Sequence, residues 1–425
     1  MTSISLPNPV VRRPGPSAAD LDVGALERDL RRQVEGEVRF DAGSRGAYST
    51  DASNYRQVPI GVVVPRTVEA GAAAVEVCRR HGAPVVSRGG GTSLAGQTCN
   101  VAVIIDWSKY CHGVVSVDPD ARTCIVAPGI VLDELNAQLV AHNLMFGPRP
   151  ATHDHCTLGG MLGNNSCGAT AQAYGKTVDN VARLEVLTYD GERFWAGPTT
   201  DDEYAAIVAA GGRRAEIYQG LRALSDARAE EIRERYPQIP RRVSGYDLDS
   251  LLPERSFNVA RALVGSESTL VTILHAELQL VPVPAARTLV VLGYPDIASA
   301  ADATPRIAPH RPEQLEGIDS RLIMFERERR MNPKALHLLP DGHGWLMVIF
   351  AGDSKDDADA KAQALIDDLR GGQHEPTVKF YDDPEHEQEL ADVREVALGA
   401  TARVPDMPDT WERLGGFGGP AGPAR

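Results

Sequence analysis

The chain has 425 residues, of which 43% are hydrophobic and 24% are charged, an ordinary mixture for a globular protein of two or three domains. Its formal net charge of −14 argues against a nucleic-acid-binding protein, which would present a basic patch. A small anionic ligand is not excluded, because a few local arginines can outweigh a distant negative surface.

The six cysteines are spread along the sequence without a C-x-x-C pair, which disfavours zinc and iron–sulfur sites. We interpret them as buried or free thiols in a reducing cytoplasm. Arg12 and Arg13 are not followed by an apolar stretch, so the N-terminal segment does not resemble a secretory or twin-arginine signal. No apolar run approaches the ~20 residues of a membrane helix. We therefore expect a cytoplasmic protein, and leave open that it docks on the inner face of the membrane.

The first part of the chain predicts a tail, a helix and then alternating strands and helices. Residues 1–20 are rich in proline and small polar residues, and a helix is predicted from Asp22 to Val34. IGVVVP predicts a buried strand, and a helix from Val68 to His81 is predicted to be capped by Thr67 and ended by Gly82. APVVS and VAVIID predict two more strands.

The middle of the chain predicts strands, turns and one amphipathic helix. GVVSVDPDARTCIVAPG predicts two strands around a Pro-Asp turn. Leu132, Leu135 and Leu139 share one face of the helix that follows. RLEVLTYDGERFWAG predicts a hairpin, with Asp190 and Gly191 in a two-residue turn.

The remaining elements are less regular. Ala206 to Arg235 are predicted to be mainly helical, and an apolar strand is predicted to end at Val264. A new unit begins near Arg287, in which TLVVLGYPD and GWLMVIFAGD predict strands and Asp356 to Leu369 a helix. The final GGFGGPAGPAR is of low complexity.

The loop SRGGGTSLAGQ is the first segment that points to a ligand. Its three consecutive glycines carry no Cβ, so successive backbone N–H groups can point at an anion. Thr92, Ser93 and Gln97 add side-chain donors. The alternative interpretation is a tight turn between a strand and a loop. The spacing is not G-x-G-x-x-G, so a Rossmann dinucleotide fold is not supported.

A second segment, residues 147–181, combines glycines with hydrogen-bonding residues, and long loops of this kind are usually functional. Gly175-Lys176-Thr177 superficially matches a nucleotide P-loop, but Thr170 stands where the earlier glycine is required. His153 and His155 form an H-x-H pair. We interpret them as polar loop residues and not as metal ligands, because no third or fourth ligand is evident nearby.

A third motif, Gly265-Ser266-Glu267-Ser268-Thr269-Leu270, follows later in the chain. In this order the three motifs resemble the FAD-binding domain of the vanillyl-alcohol-oxidase type, in the branch of D-lactate, glycolate and D-2-hydroxyglutarate dehydrogenases. Members share a Gly-Gly-Gly-Thr-Ser loop, a Thr-Leu/Ile-Gly-Gly-Met segment before Asn-Asn-Ser, a Tyr-Gly-x-Thr-x-Asp-Asn-Val segment and a Gly-Ser-Glu-x-Thr-Leu turn. The resemblance runs from about Arg56 to Pro284, with a fainter likeness to about Trp411.

The resemblance implies an α+β fold: a two-subdomain vanillyl-alcohol-oxidase (PCMH) type FAD-binding domain followed by an incomplete α+β cap domain. The implied divisions are 1–55 for a tail and lead-in helix, 56–284 for the FAD-binding domain, 285–411 for a partial substrate or cap domain, and 412–425 for a low-complexity tail. Codons that encode residues 413–425 can also encode, after a shift of one base, the Gly-Trp-Glu-Asp-Ser-Ala-Val-Pro-Pro continuation of relatives. We therefore expect a truncated product with a frameshifted tail.

The resemblance also implies FAD as the cofactor. The binding is expected to be non-covalent, because the glycine loop lacks the histidine that links the flavin in some relatives. The glycine loop would hold the pyrophosphate, the region around Asn164 the flavin edge, Tyr174 the isoalloxazine and ribityl chain, and Glu267 the adenosine end. The predicted cofactor-binding residues are Arg88, Gly89, Gly90, Gly91, Thr92, Ser93, Gln97, Pro148, Thr152, Thr157, Gly159, Gly160, Asn164, Ser166, Gly168, Tyr174, Gly175, Glu267 and Thr269.

The function that the resemblance implies is oxidation of a D-2-hydroxy acid, such as D-lactate or D-2-hydroxyglutarate, by hydride transfer to flavin N5. Electrons would then pass to a quinone, cytochrome or iron–sulfur acceptor. Arg394 matches the family's Val-Arg-Glu segment and would pair with the substrate carboxylate; a solvated helix charge is the alternative.

Two other functions stay open at this point. One is an oxidase that uses oxygen. The other is a truncated or inactive flavin-binding fragment or subunit, because the family's His-x-Gly-Asp-Gly-Asn-x-His-like motif, which carries the base and metal ligands, does not occur in this sequence. No metal site is predicted.

Overall fold

The computed structural model describes residues 21–329, 337–372 and 374–381, together with four single positions between 386 and 393. Arg394 and the tail after residue 411 lie outside the described residues, so both predictions about them remain predictions. Three sheets of four or five strands organise the described chain. Within it, no helix has the length and apolar character that crossing a membrane requires.

A mixed sheet and three helices form the first unit. Its elements are α1 (Val23–Gln33), β1 (Gly36–Arg39), α2 (Ala42–Ala47), β2 (Gly61–Pro65), α3 (Val68–His81), β3 (Val85–Arg88) and β4 (Val103–Asp106). Strands β2, β4 and β3 are parallel neighbours, and β1 pairs antiparallel with β2. Thr67 caps α3 and Gly82 ends it with a φ of 69°, as predicted. The carboxyl ends of β3 and β4 meet at one edge, where the glycine loop begins.

An antiparallel sheet with surrounding helices forms the second unit. Its elements are β5 (Val114–Asp118), β6 (Thr123–Val126), α4 (Leu132–Leu139), β7 (Leu144–Met145), α5 (Leu158–Asn164), α6 (Ala171–Tyr174), β8 (Val181–Thr188), β9 (Arg193–Ala196), α7 (Asp201–Ala210), α8 (Gly212–Arg235), α9 (Val259–Leu263) and β10 (Val271–Gln279). The sheet order is β5-β6-β10-β8-β9. Leu132, Leu135 and Leu139 are fully buried in its core, as their spacing predicts. The stretch predicted as mainly helical is divided into α7 and α8 at Gly211, which has a φ of 71°.

The prediction of a strand ending at Val264 is wrong. The residues before it form the short helix α9, four of whose five residues are buried. Asn258 starts this helix, because its side chain accepts a hydrogen bond from the backbone N–H of Arg261 at 3.0 Å. Periodicity alone does not separate a short buried strand from a short buried helix. The asparagine cap was therefore the better signal.

An antiparallel sheet between two layers of helices forms the third unit. Its elements are β11 (Val281–Pro282), β12 (Ala286–Tyr294), α10 (Ile297–Ile307), β13 (Gln314–Asp319), α11 (Ser320–Arg329), β14 (Gly344–Gly352), α12 (Lys355–Leu369) and β15 (Thr377–Tyr381). Strand β11 pairs with β7, and the other four strands form a sheet in the order β13-β14-β12-β15. One face buries Val290 and Val348 against Leu365 of α12, and the other buries Met347 against Ile323 of α11.

Candidate functional site

A cleft of about 650 Å³ opens between the first and second units. This volume is typical of small-molecule sites. Most of the predicted cofactor-binding residues line the cleft, although they come from three separate parts of the sequence, 88–97, 152–166 and position 267. Those that line it are Arg88, Gly89, Gly90, Gly91, Thr92, Ser93, Gln97, Thr152, Thr157, Gly159, Gly160, Asn164, Ser166 and Glu267.

The structure does not bring Pro148, Gly168, Tyr174, Gly175 and Thr269 to the lining of the cleft. Gly168 packs so closely on the neighbouring loop that a Cβ there would lie 1.9 Å from the carbonyl oxygen of residue 149. Gly175 has a φ of 74°, which favours glycine. The Thr269 hydroxyl donates to the carbonyl of Ser266 at 2.5 Å. These residues support the loops around the cleft, and their contact with a cofactor stays a prediction.

The glycine loop packs directly on the segment that precedes α5. A Cβ on Gly89 would lie 1.9 Å from Oγ1 of Thr157, and a Cβ on Gly90 would lie 2.1 Å from the carbonyl oxygen of His155. Gly91 has a φ of 66°. The first two glycines are therefore required for packing between two loops, besides leaving their backbone N–H groups able to point at an anion, as the sequence indicated. A side chain at Gly90 would point at a protein carbonyl.

The same loop presents donors that the protein itself does not use. Among the described residues, no backbone carbonyl accepts a hydrogen bond from the backbone N–H groups of residues 89–93. Ser93 is hydrogen-bonded to Gln97, and Nε2 of Gln97 lies 3.3 Å from Oε1 of Glu267 across the cleft. Free amide donors on a chain without Cβ atoms suit the oxygens of a pyrophosphate. The donor set therefore fits the cofactor that the sequence predicted.

The nearby arginine has a structural role. Arg88 Nη2 donates to the carbonyl of Thr50 at 2.8 Å and Nη1 donates to the carbonyl of Tyr48 at 3.3 Å. Its guanidinium carbon also lies 5.3 Å from the centre of the Tyr48 ring. These contacts fix the start of the glycine loop against the segment after α2.

Several cleft residues were missed by the sequence analysis. The loop 243–245 lines the cleft, as do Trp107, Pro128, Val271 and Ile273. Gly245 has a φ of 82°, so the glycine within Ser-Gly-Tyr was a usable sequence signal. The apolar residues gave no such signal, because nothing local distinguishes them from core residues.

His153 and His155 have different environments, and neither resembles a metal ligand. Nδ1 of His153 lies 2.7 Å from a carboxylate oxygen of Asp133, and Nε2 lies 2.8 Å from Nη2 of Arg149. A guanidinium only donates, so Nε2 accepts and Nδ1 carries the hydrogen toward Asp133. The His155 side chain is 72% exposed and pairs with Asp154. Within the described part of the chain, no three His, Cys, Asp or Glu side chains are grouped to hold a metal ion.

Tyr174 connects the second unit to the third. Its hydroxyl donates to Oε1 of Glu313 at 2.8 Å, and Arg287 holds the same carboxylate with contacts of 2.6 and 2.9 Å. Glu313 is only 3% exposed. Burial and the neighbouring Glu313 charge raise the pKa of Tyr174, so the hydroxyl keeps its proton. Gln172 adds a hydrogen bond to the carbonyl of Pro312 at 3.1 Å.

This connection reaches the cleft through Thr170. Its hydroxyl donates to the carbonyl of Gly147 at 2.8 Å and accepts from the backbone N–H of Arg149 at 3.0 Å. The loop held in this way continues directly into residues 150–152, which line the cleft. The third unit is therefore attached to a wall of the cleft by partly buried, charge-assisted hydrogen bonds.

Two protein families match this sequence. Residues 59–197 match the FAD binding domain, and residues 283–411 match the C-terminal domain of the FAD linked oxidases. Among characterised proteins, D-2-hydroxyglutarate dehydrogenase of Pseudomonas putida is 30% identical over 354 residues, which are 81% of this chain and 35% of the relative. The Escherichia coli K12 protein of the same name is 28% identical over 360 residues, 82% of this chain and 35% of the relative. This chain thus spans about a third of their length.

Two further comparisons extend this result. Glycolate oxidase subunit GlcD of Bacillus subtilis is 27% identical over 308 residues, which are 70% of this chain and 55% of that protein. Among solved structures, an alkyldihydroxyacetonephosphate synthase aligns with a TM-score of 0.61 at 18% identity, covering 88% of this chain and 68% of the other. At that identity the likeness concerns the fold.

Proposed function

This chain belongs to the family of FAD-linked oxidases, and on that premise we propose that it oxidises a small D-2-hydroxy acid. FAD as the cofactor and the predicted fold class, with an FAD-binding domain ahead of a second α+β domain, are confirmed by the two family matches. Bound FAD would supply an acceptor for the hydride that leaves the hydroxyl-bearing carbon, while a base would take the proton of the hydroxyl group. The protein's own residues bind and orient the two reactants.

The observation that carries the proposal is the glycine loop with its free backbone N–H groups at the edge of the cleft. Gly89, Gly90 and Gly91 provide donors for the pyrophosphate, and Thr92 and Ser93 extend the set. A hydrogen bond between Gln97 and Glu267, both of which line the cleft, joins the glycine loop to the third motif. We assign the pyrophosphate to this loop and the remaining predicted residues to the groove that continues from it.

The substrate class is supported by the names of the relatives and by the position of the third unit. The Pseudomonas putida and Escherichia coli proteins are named D-2-hydroxyglutarate dehydrogenase. We assign the substrate side to the domain that begins at residue 285, and the FAD side to residues 56–284. Tyr174, Glu313 and Arg287 would hold this domain at the wall of the cleft. Arg394, which lies outside the described residues, is our candidate partner for the substrate carboxylate, because a planar bidentate donor suits a carboxylate.

We further propose that the electrons pass to a quinone, a cytochrome or an iron–sulfur partner, in the cytoplasm or at the inner face of the membrane. The name dehydrogenase, shared by the most extensive matches, favours these acceptors over oxygen. The name glycolate oxidase subunit belongs to a less extensive match.

The proposal is tested by mixing the flavin-loaded full chain anaerobically with D-lactate or with D-2-hydroxyglutarate. We expect the absorbance of oxidised flavin to bleach with a D-enantiomer and not with its L-enantiomer. Reduction by dithionite in a parallel cuvette shows that the bound flavin is competent. A flavin that dithionite reduces and no D-2-hydroxy acid reduces would overturn the proposal. Reoxidation by a soluble quinone compared with oxygen then identifies the acceptor class.

Arg394→Ala extends the same experiment to the substrate side. Loss of a buried charge-assisted pair is worth about 2–5 kcal/mol, so the variant should need far more substrate for half-maximal reduction while retaining its FAD. Arg394→Lys is the control, because it keeps the charge without the bidentate geometry. Unchanged substrate dependence in the alanine variant would assign Arg394 to the solvated surface.

A further inference from the structure

Trp107 lies at the base of the cofactor cleft, directly after β4. Its backbone N–H donates to the carbonyl of Arg88 at 3.1 Å, which fixes it beside the start of the glycine loop. The residue is only 2% exposed. Ligands of open α/β sheets bind at the carboxyl ends of the parallel strands, and Trp107 occupies that edge between β3 and β4.

The indole ring is fixed in place by helix α3. A Cβ on Gly71 would lie 2.2 Å from both Cη2 and Cζ3 of Trp107, so the helix can accept the ring only where it has a glycine. The carbonyl of Trp107 is just as closely packed, because a Cβ on Gly129 would lie 2.1 Å from that oxygen. The six-membered edge of the indole is thus buried against the helix, and the ring cannot turn to seek a hydrogen-bond partner elsewhere.

The indole N–H has no acceptor among the described residues, although the nitrogen is buried. Buried donors in proteins are nearly always paired, because an unpaired one has lost its hydrogen bond to water. Trp345 shows the usual situation: its indole N–H donates to the carbonyl of Pro340 at 2.8 Å. Among the described residues that line the cleft, Trp107 alone carries a buried side-chain atom of this kind.

We propose that bound FAD supplies the missing acceptor, so that Trp107 is a cofactor-positioning residue outside the glycine motifs. An indole nitrogen can only donate, and FAD carries acceptors along its length, in the pyrophosphate, the ribityl chain and the flavin ring. Because the ring is already held against Gly71, a hydrogen bond from its N–H to FAD would cost little side-chain freedom. The inference rests on the cleft being the FAD site, and it does not depend on which substrate is oxidised.

The direct test is the indole N–H resonance of Trp107 in the full chain labelled with 15N at tryptophan. On titration of the flavin-free protein with FAD, we expect this resonance to shift and its exchange with solvent to slow. The resonance of Trp345 should stay in place, because its acceptor is a protein carbonyl. The same titration with ADP shows whether the acceptor belongs to the half of FAD that ADP shares. An unmoved Trp107 resonance at saturating FAD would overturn the proposal.

A second test uses Trp107→Phe, which keeps an aromatic ring and removes the donor. We expect the dissociation constant for FAD, measured by quenching of flavin fluorescence, to rise about tenfold. Trp345→Phe is the matched control, since it removes an indole donor from the third unit and should leave the FAD affinity unchanged. Equal FAD affinity of wild type and Trp107→Phe would refute the inference while leaving the cofactor assignment intact. Failure of the wild type to bind FAD would instead remove the cofactor assignment itself.

Discussion

The contact between Gly89 and Thr157 permits a sharp test of how the glycine loop works. In Gly89→Ala the new methyl would lie 1.9 Å from Oγ1 of Thr157 and 3.2 Å from its Cγ2, so one of the two loops must move. Overpacking of this kind costs about 1–3 kcal/mol. If the displaced loop carries the pyrophosphate donors, the FAD dissociation constant should rise by about 5- to 150-fold.

Removing the obstructing atoms should restore part of the binding. Thr157→Ala deletes both Oγ1 and Cγ2 of that side chain, at the cost of a helix cap whose hydrogen bond to the Gly160 N–H is long, at 3.3 Å. Loss of such a cap costs about 1 kcal/mol. The loss of FAD-binding free energy in the double variant should therefore be smaller than the sum of the losses in the two single variants, by at least about 1 kcal/mol. Gly90→Ala should not be rescued in this way, because its methyl would meet the backbone carbonyl of His155 at 2.1 Å.

The assay is an FAD titration of the flavin-free full chain for wild type, both single variants and the double variant, with thermal denaturation as a check on folding. Gly220→Ala, in the middle of α8, is the control, since a Cβ there meets nothing within 4 Å. It should leave FAD affinity unchanged and raise the free energy of unfolding slightly, by up to about 1 kcal/mol. Strict additivity in the Gly89–Thr157 cycle, or wild-type affinity in Gly89→Ala, would refute the packing argument.

Three further predictions concern the cofactor, the third unit and pH. FAD should be released in full by acid precipitation, because no linking histidine is present in the glycine loop; flavin fluorescence retained by the pellet would contradict this. Tyr174→Phe should lower the free energy of unfolding by about 1–3 kcal/mol in urea titrations, because buried Glu313 loses a donor; an unchanged midpoint would show that the link is not stabilising. Burial raises the pKa of Glu326 from 4.5 to about 7, so the folded state keeps a proton that the unfolded state loses as pH rises. The free energy of unfolding should then fall by up to about 3 kcal/mol as the pH rises from 4.5 to about 7, and Glu326→Gln should remove that part of the pH dependence. Parallel plots of unfolding free energy against pH for wild type and variant would exclude the effect.

The sequence by itself determined the features whose causes are local. Thr67 and Gly82 define the ends of α3 because a side-chain cap and a left-handed glycine act within one turn of helix. The glycine loop by itself indicated an anion site, and the resemblance of the ordered motifs to an FAD-binding domain then implied the cofactor. The predictions about Arg394 and about the end of the chain still rest on the sequence alone.

Only the tertiary structure decided the features that depend on residues far apart in the chain. The glycines at 89 and 90 face Thr157 and His155, and no local pattern reveals that packing between loops, besides anion binding, requires them. The sequence placed Tyr174 at the flavin, which stays a prediction, and only the structure shows that its hydroxyl donates to Glu313 of the third unit. In the sequence Trp107 looks like an ordinary core residue, and only the structure shows that its buried indole N–H has no acceptor among the described residues. In each case a contact between groups that are far apart in the sequence decides the feature. Local conformational preferences do not determine which distant groups come into contact.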